Sequence, residues 1–449
     1  MNVPSHRVTL TVIGGGSFFT PSFIGTMCRR PEIFSGAEVR LSDPDAERVR
    51  LVKAFCETYT RAKGIPMTFV AAPDLDRALD GADVVITTFR VGGPPALLLD
   101  ESIPPRFGYY GDETVGPGGM FMAIRTVPVV LDIARRMSRL CPGAWLLNYA
   151  NPTNFIADAL HRSGTTRSAS LCDGFICPPN DIGITLLGQE TQRIVTRHAG
   201  VNHCGWCYSA EFEGRDLLEE LRHVDDALVE KNLATLPPEG AVRRRRWLEL
   251  FRLTGLYPAP AGHMECYFYH DECLQRQLAR GAAPHAGVSD RGRSNWDRLK
   301  AVLADFRLDA AEQVAKAHRG AHADLAIGVA AALTADTGEL YPVNLPHGQA
   351  LPGFAPHDVL EVYCRVTKRG FEPVRVPAFP RMIHAQQTHL LAVQQLAVQG
   401  ILEKDRRLLL QALCLHPFTR SVTTARKLFD AMWHEERDIL GSYWSGVGA

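Results

Sequence analysis

The sequence predicts an α/β protein in which an N-terminal Rossmann-like parallel sheet is followed by a second domain of mixed α+β character. Three observations lead there. Through the first 150 residues, short apolar runs alternate with segments of helical spacing. Those runs are apolar on both faces, as strands of a parallel sheet covered by helices must be. The first of them ends in Gly14-Gly15-Gly16, a turn that lets the backbone approach a ligand closely.

Taken in order, RVTLTVIGG is the first strand, FFTPSFIGTMCRR a helix and AEVRLSD the second strand. A helix from Ala46 to about Lys63 follows, then the strand MTFVAA, the short helix LDRALDG and the nearly all-apolar strand ADVVITTF. VPVVLDIARRMSRL has the spacing of an amphipathic helix and leads into the strand AWLLNYANP. The second half is richer in helices: RDLLEELRHVDDALVEKNLATL, NWDRLKAVLADFRL and a long one from His384 to about Leu415, broken near Gly400. DVLEVYCRVTKRGFEPVRV reads as a β-hairpin turning at Lys368–Gly370. No low-complexity linker separates the halves. The expected division is 1–195 for dinucleotide binding and 196–449 for substrate and metal binding and for oligomerisation.

Bulk properties narrow the function. Lys plus Arg and Asp plus Glu number 49 each, so no net charge draws the chain to nucleic acid or an anionic membrane. No stretch approaches the ~20 uninterrupted apolar residues of a membrane helix, and the N-terminus has no signal-peptide pattern. The 11 cysteines are scattered through a long chain, which fits a reducing compartment. The expectation is a cytoplasmic protein. The run Arg243-Arg244-Arg245-Arg246 reads as a solvated helix face or a subunit contact.

The first site is the turn Gly14-Gly15-Gly16-Ser17-Phe18, opening into a helix whose N-terminus favours a pyrophosphate. Phe19 stands where a third glycine would be. Asp43 ends the second strand, where an acid binds adenosine ribose hydroxyls and repels a 2′-phosphate, so NAD is expected in preference to NADP. The alternative is that Asp43 caps the helix starting near Ala46.

Four further segments concentrate polar residues at strand ends. FRVGG places Arg90 there as a clamp for an oxyanion or hydroxyl, or as a salt bridge fixing its loop. GDETVGPGG reads as a shaped loop around Asp112 and Glu113. Asn148, Asn151 and Asn154 in NYANPTN suit sugar hydroxyls, but equally a turn before proline. Cys172-Asp173-Gly174 and Asn202-His203 offer a thiolate and an imidazole that could share a divalent ion. A competing reading, zinc held by Cys204 and Cys207 with Cys172 and Cys177, or a redox CxxC, fits poorly, since the Cys172–Cys177 spacing is too wide and HCGWCYSAEF alternates like a strand.

Together these segments resemble glycoside hydrolase family 4, the NAD- and metal-dependent glycosidases, an exception to two-carboxylate hydrolysis. The resemblance is carried by IGGGSFFTP, FRVGG, GDETVGPGG with AIRTVPVVLDIA, NYANPTN, CDG, GVNH and VNLPHGQALPGFAPHDVLEV. It implies a fold like that of lactate and malate dehydrogenases. It also implies that Cys172 and His203 hold a divalent ion, usually Mn2+, that Arg90, Asn151 and Arg293 contact the sugar, and that Asp173 matches the acid of some α-specific members. Homo-oligomers, dimeric or tetrameric, are implied as well. This chain carries Asp112 where the family usually has glutamine. Its PAPAGHMECYFYHDE segment is closer to the form of the α-galactosidase and glucuronidase branch than to the tyrosine-rich form of 6-phosphoglucoside enzymes. Tyr267, then Tyr257, are the resulting choices for the base.

The resemblance implies hydride removal from sugar C3 by NAD, loss of the C2 proton to a base, departure of the C1 group with help from Asp173, addition of water and return of the hydride. His263 directs the substrate expectation to an α-galactoside or hexuronide; the alternatives are a 6-phospho-glycosidase of the same family or an NAD-dependent hydroxy-acid or sugar dehydrogenase. A non-catalytic NAD-binding regulator is a third possibility.

Overall fold

The computed structural model describes residues 7–259, 263–281, 288–316 and 321–446. The strands of the first half are β1 (Thr9–Ile13), β2 (Glu38–Ser42), β3 (Thr68–Ala71), β4 (Val84–Thr87), β5 (Trp145–Asn148) and β6 (Ser168–Ser170). The second half adds β7 (Val195–Val201), β8 (Cys204–Phe212), β9 (Arg215–Asp216), β10 (Tyr257–Ala259), β11 (Leu340–Pro346), β12 (Val359–Thr367) and β13 (Gly370–Pro373). Among the described residues all 13 belong to one sheet, with a main order β10-β8-β7-β12-β11-β6-β5-β4-β1-β2-β3. The parallel part, β3-β2-β1-β4-β5-β6, has the strand order of dinucleotide-binding folds. The remainder is antiparallel and joins it where Asn344 of β11 pairs with Ser170 of β6.

Register explains how remote segments meet. Ile13 is level with Ser42 and Thr87, Thr87 with Asn148, and Asn148 with Ser170. The glycine turn, Asp43, Arg90, Asn151 and Cys172 all follow directly on that row, at the carboxyl edge where open α/β sheets bind ligands. The row continues through Asn344 and Glu361 to Gly200, just before the turn that carries Asn202 and His203.

Helices cover both faces. On one side Phe23, Phe34 and Phe55 pack over the parallel strands together with the apolar helix Ala321–Ala335. On the other, Phe121, Leu146 and Phe429 centre on the helix Gly116–Leu140. That helix has the length and composition of a membrane span, but 78% of its apolar window is buried inside the protein. It also carries Arg125, fully buried between Asp100 and Glu436. It is a core helix.

Three expectations are adjusted. The helix expected from Arg215 breaks into Leu217–Arg222 and Asp226–Leu233, because Asp225 caps the second piece by accepting from the Ala227 N–H at 2.9 Å. The long C-terminal helix breaks four residues beyond Gly400: Lys404 adopts φ 56° and Asp405 caps Arg406–Leu415. The arginine run is only partly solvated: Arg245 is exposed and the other three are half-buried. Arg244 pairs with buried Asp181 at 2.8 Å, Arg245 pairs with Glu230, and Arg246 and Arg243 converge on Glu265, whose side chain is 3% exposed. Glu265 lies two residues from both His263 and Tyr267, so the run anchors a segment of the site.

Candidate active site

Gly14 and Gly15 both donate to the Ser42 carbonyl, at 2.8 and 3.0 Å, and Gly16 N–H donates to Asp43 Oδ2 at 3.2 Å. A Cβ on Gly14, at φ +88°, would stand 2.3 Å from the Thr88 carbonyl oxygen, and one on Gly15 2.8 Å from Leu41 Cα. The turn is thus wedged between β2 and β4 with only backbone at its surface, which suits a pyrophosphate. Ser17 Oγ accepts from the Phe19 N–H at 3.2 Å, and Phe18 is the cap residue of the helix Phe19–Met27. Asp43 is not a helix cap. Asp45 caps Ala46–Ala62 by accepting from the Arg48 N–H, while Asp43 bridges the turn and the helix start, its Oδ1 accepting from the Asp45 N–H at 2.9 Å.

Cys172 follows β6 and caps the short turn Asp173–Ile176. His203 lies in the β7–β8 turn at φ 63°. Their Sγ and Nε2 atoms are 3.3 Å apart, a gap one ion can bridge given metal–nitrogen and metal–sulfur bonds of about 2.1 and 2.3 Å. Burial, with the charges of Glu361 and Asp173, pushes the Cys172 thiol well above its ordinary range. Burial, with the neighbouring His263 cation, lowers His203 to about 4. The free protein therefore holds a thiol and a neutral imidazole, and His203 Nδ1 finds no hydrogen-bond partner among the described residues. A soft-and-borderline donor pair of this kind fits a divalent cation. Among the described residues no group of three or more His, Cys, Asp or Glu is placed to hold a metal, so Cys172 and His203 are a two-ligand pair.

Two ion pairs flank this cluster. His263 Nδ1 is 2.7 Å from Asp112 Oδ2, and Asp112 Oδ1 accepts from the N–H groups of Thr114 and Val115. Burial opposes ionisation of Asp112, but His263 and the two N–H groups outweigh it and hold the carboxyl at about 2. Burial likewise opposes charging of His263, yet Asp112 and Glu113 raise it to about 9. The His263 ring lies 4.4 Å from that of His203, centroid to centroid. Arg90 Nη2 pairs with Glu113 Oε2 at 2.5 Å. The glycines after them are needed for close approach: a Cβ on Gly118 or Gly119 would fall 2.2 Å from Asp112 O or 2.0 Å from Thr114 O.

The other expected residues separate. Asn148 is structural: its amide is fixed by Thr87, Ala150 and Ser170. Asn154 is bonded to Gln394 at 2.8 Å. Asn151 Nδ2 reaches Thr114 Oγ1 at 3.5 Å, beside the Asp112 loop. Asp173 is half-buried next to Cys172. Tyr257 is fully buried in β10 and paired to β8, as a core residue is. Tyr267 packs against His416 and Phe418 and lines a small, mostly apolar cavity of about 30 Å³ that Thr114, Asn202 and Gln394 also border. Burial pushes its hydroxyl well above the usual phenol range. Arg293 is exposed on the helix Val288–Ala304, one turn before Trp296, whose ring centroid is 4.2 Å from that of Phe18. Residues 260–262 of the segment containing His263 lie outside the described residues. Cys204 and Cys207 sit in β8 and bond to Gln386 and the Ser209 carbonyl, which removes the zinc and redox readings.

The family 4 glycosyl hydrolase model matches residues 9–183, and that of the family's C-terminal domain matches residues 198–419. The chain is a family 4 glycosyl hydrolase. It is 28% identical over 458 residues to a probable 6-phospho-beta-glucosidase of Bacillus subtilis, covering 98% of this chain and 99% of that one. This hydrolase superposes on a 6-phospho-alpha-glucosidase from gut microorganisms in complex with NAD and Mn2+, at TM-score 0.82 and 22% identity, covering 97% of this chain and 99% of that one. Malate dehydrogenase of Cryptosporidium parvum aligns at TM-score 0.53 and 12% identity over 88% of this chain and 100% of that one, as the expected dehydrogenase-like fold requires.

Sequence reasoning missed the support beneath His203 in this glycosyl hydrolase. Glu361 of β12, 1% exposed, meets His198 Nε2 at 3.1 Å and accepts from Asn202 and Asn344 at 3.2 and 3.3 Å. Thr153 Oγ1 donates to Asn202 Oδ1 at 2.6 Å. A buried carboxylate so engaged fixes the β7–β8 turn, and a lone glutamate inside the apolar run DVLEVYC was the available signal.

Proposed function

We propose that this hydrolase cleaves 6-phospho-glucosides by an oxidation–elimination sequence that needs NAD and a divalent cation such as Mn2+. The observation that carries the reading is the 3.3 Å approach of Cys172 Sγ to His203 Nε2 on the sheet edge that also bears the glycine turn. Gly14 and Cys172 follow strands three spacings apart, about 14 Å, a span an extended dinucleotide can cross. The phosphorylated sugar is supported by the names of the similar proteins, which cover both anomers, over the galactoside or hexuronide expected from His263.

When bound, NAD supplies a hydride acceptor for sugar C3 and the cation supplies a Lewis acid. Gly14, Gly15, Gly16, Ser17 and Phe18 form the cradle for the dinucleotide and Asp43 the ribose contact. Cys172 and His203 hold the cation, the thiol giving up its proton on loading. Arg90, Asn151 and Arg293 orient the sugar, Arg293 being the exposed cation suited to a phosphate. Tyr267, which shares its cavity lining with Thr114 and Asn202, takes the C2 proton. Asp173 gives a proton to the departing C1 oxygen. Water then adds and the hydride returns, so the net reaction is hydrolysis. The division at residues 195/196, a homo-oligomeric state and a cytoplasmic location complete the reading; the eleven free cysteines support the last.

The test is a panel of 6-phosphorylated and unphosphorylated nitrophenyl glucosides, galactosides and uronides, with NAD+ and Mn2+ each omitted in turn. Release of nitrophenol only from phosphorylated sugars, only with both additions and without net NADH, is the expected result. Net NADH from a hydroxy acid would establish a dehydrogenase instead, and full turnover after exhaustive chelation would remove the metal.

A further inference from the structure

Five side chains and backbone positions from distant parts of the chain enclose one spot beside the glycine turn. The Trp296 ring centroid is 4.2 Å from that of Phe18 and 5.4 Å from the Arg48 guanidinium carbon. A Cβ placed on Gly16 would meet Arg48 Cβ at 3.0 Å and the Asp43 carboxyl at 3.1 Å, so Arg48 and Asp43 rise from the same wall. Trp296 belongs to the helix Val288–Ala304, which packs on the helix Ala46–Ala62 that starts just after Asp43. Trp145, Trp206, Trp247 and Trp444 are buried in the core, whereas Trp296, like Trp433, is only half-buried. An indole held against Phe18 and Arg48, on the side of the turn that also carries Asp43, offers a stacking surface for an adenosine.

We propose that Trp296 and Arg48 form the outer wall of the pocket for the adenosine half of the dinucleotide, so that a helix of the second half completes a site begun by the first. This rests on the NAD reading above. Asp43 faces the ribose hydroxyls. Arg48, with its Nε 3.0 Å from Asp45 Oδ2 and its guanidinium near the indole, acts as a flat lid and not as a receptor for a 2′-phosphate. The NAD selectivity of the site then comes from both sides of the wall.

Tryptophan fluorescence and calorimetry with NAD+ and with ADP-ribose, which lacks the nicotinamide, test this. Both ligands should quench wild-type emission. Trp296→Phe should lose most of the quench while keeping Kd within about threefold, and Trp296→Ala should weaken both ligands about tenfold. The thermal shift produced by Mn2+ should persist in both variants. Unchanged Kd values in Trp296→Ala, or an equal loss of the Mn2+ shift, would overturn the assignment. A wild-type protein that binds no NAD+ would overturn the cofactor reading itself.

Discussion

Asp112 Oδ2 and His263 Nδ1 meet at 2.7 Å across 151 residues of sequence, tying the loop before the core helix to the segment that carries Tyr267. Removing one member strands a mostly buried charge. Asp112→Asn and His263→Gln should each cost about 2 kcal/mol, and the double variant should cost less than their sum by about 1 kcal/mol or more. Urea denaturation of the four proteins measures this, and strict additivity would deny the coupling. The carboxyl falls from 3.8 to about 2 and the imidazole rises from 6.5 to about 9. The stabilisation is therefore whole from about pH 4 to 6.5, and is lost as pH falls through about 2 or rises through about 9.

His416 predicts acid sensitivity. Its Nδ1 accepts from the Phe418 N–H at 3.2 Å, and burial, with His389 and His270 nearby, lowers it from 6.5 to about 3. The unfolded chain then binds the proton more readily, so its contribution is complete above pH 6.5 and declines by at most about 1.4 kcal/mol per unit toward pH 3. Stability measured at pH 7, 5.5 and 4.5 should fall less steeply in His416→Gln than in the wild type. Equal slopes would exclude His416 as the source.

Arg125 sits between Asp100 and Glu436 with no exposed side-chain surface, and its Nε donates to the Val91 carbonyl, next to Arg90. Arg125→Met leaves two carboxylates without their cation. A loss of about 3–5 kcal/mol is expected, with a lower melting temperature. Arg125→Lys should recover little, because an ammonium cannot reproduce the fork. A melting temperature unchanged in Arg125→Met would contradict this.

Gly14 at φ +88° faces the Thr88 carbonyl. Gly14→Ala should cost about 2 kcal/mol or more of stability through strain and clash, and should abolish calorimetric NAD+ binding. Retained binding would mean that the turn is not the cradle.

Mn2+ in excess should raise the melting temperature of the wild type, by the equivalent of about 2.7 kcal/mol at a hundred times Kd. Cys172→Ala and His203→Ala should show no such rise. An undiminished shift in either would place the cation elsewhere.

The parallel strands were legible because each is an apolar run bounded by turn residues, and β1, β2, β4 and β5 fall within the runs named from sequence. β6 has only three residues, Ser168–Ser170, too few for any period to show. Cys172 and His203 were found through the order of several motifs, since no local spacing joins residues on separate loops. Tyr257 and Tyr267 look alike in sequence; only pairing with β8 shows that the first is core. The arginine run misled for a related reason. Its partners Asp181, Glu230 and Glu265 lie on other elements, and nothing near residue 243 announces them.

The junction of Asn344 with Ser170 has a further consequence. One pair, Asn344 with Ser170, joins the parallel strands to the antiparallel ones, and one more, Glu361 with Gly200, carries the sheet on to β7. The β7–β8 turn with His203 is thus held level with Cys172 through those two residue pairs.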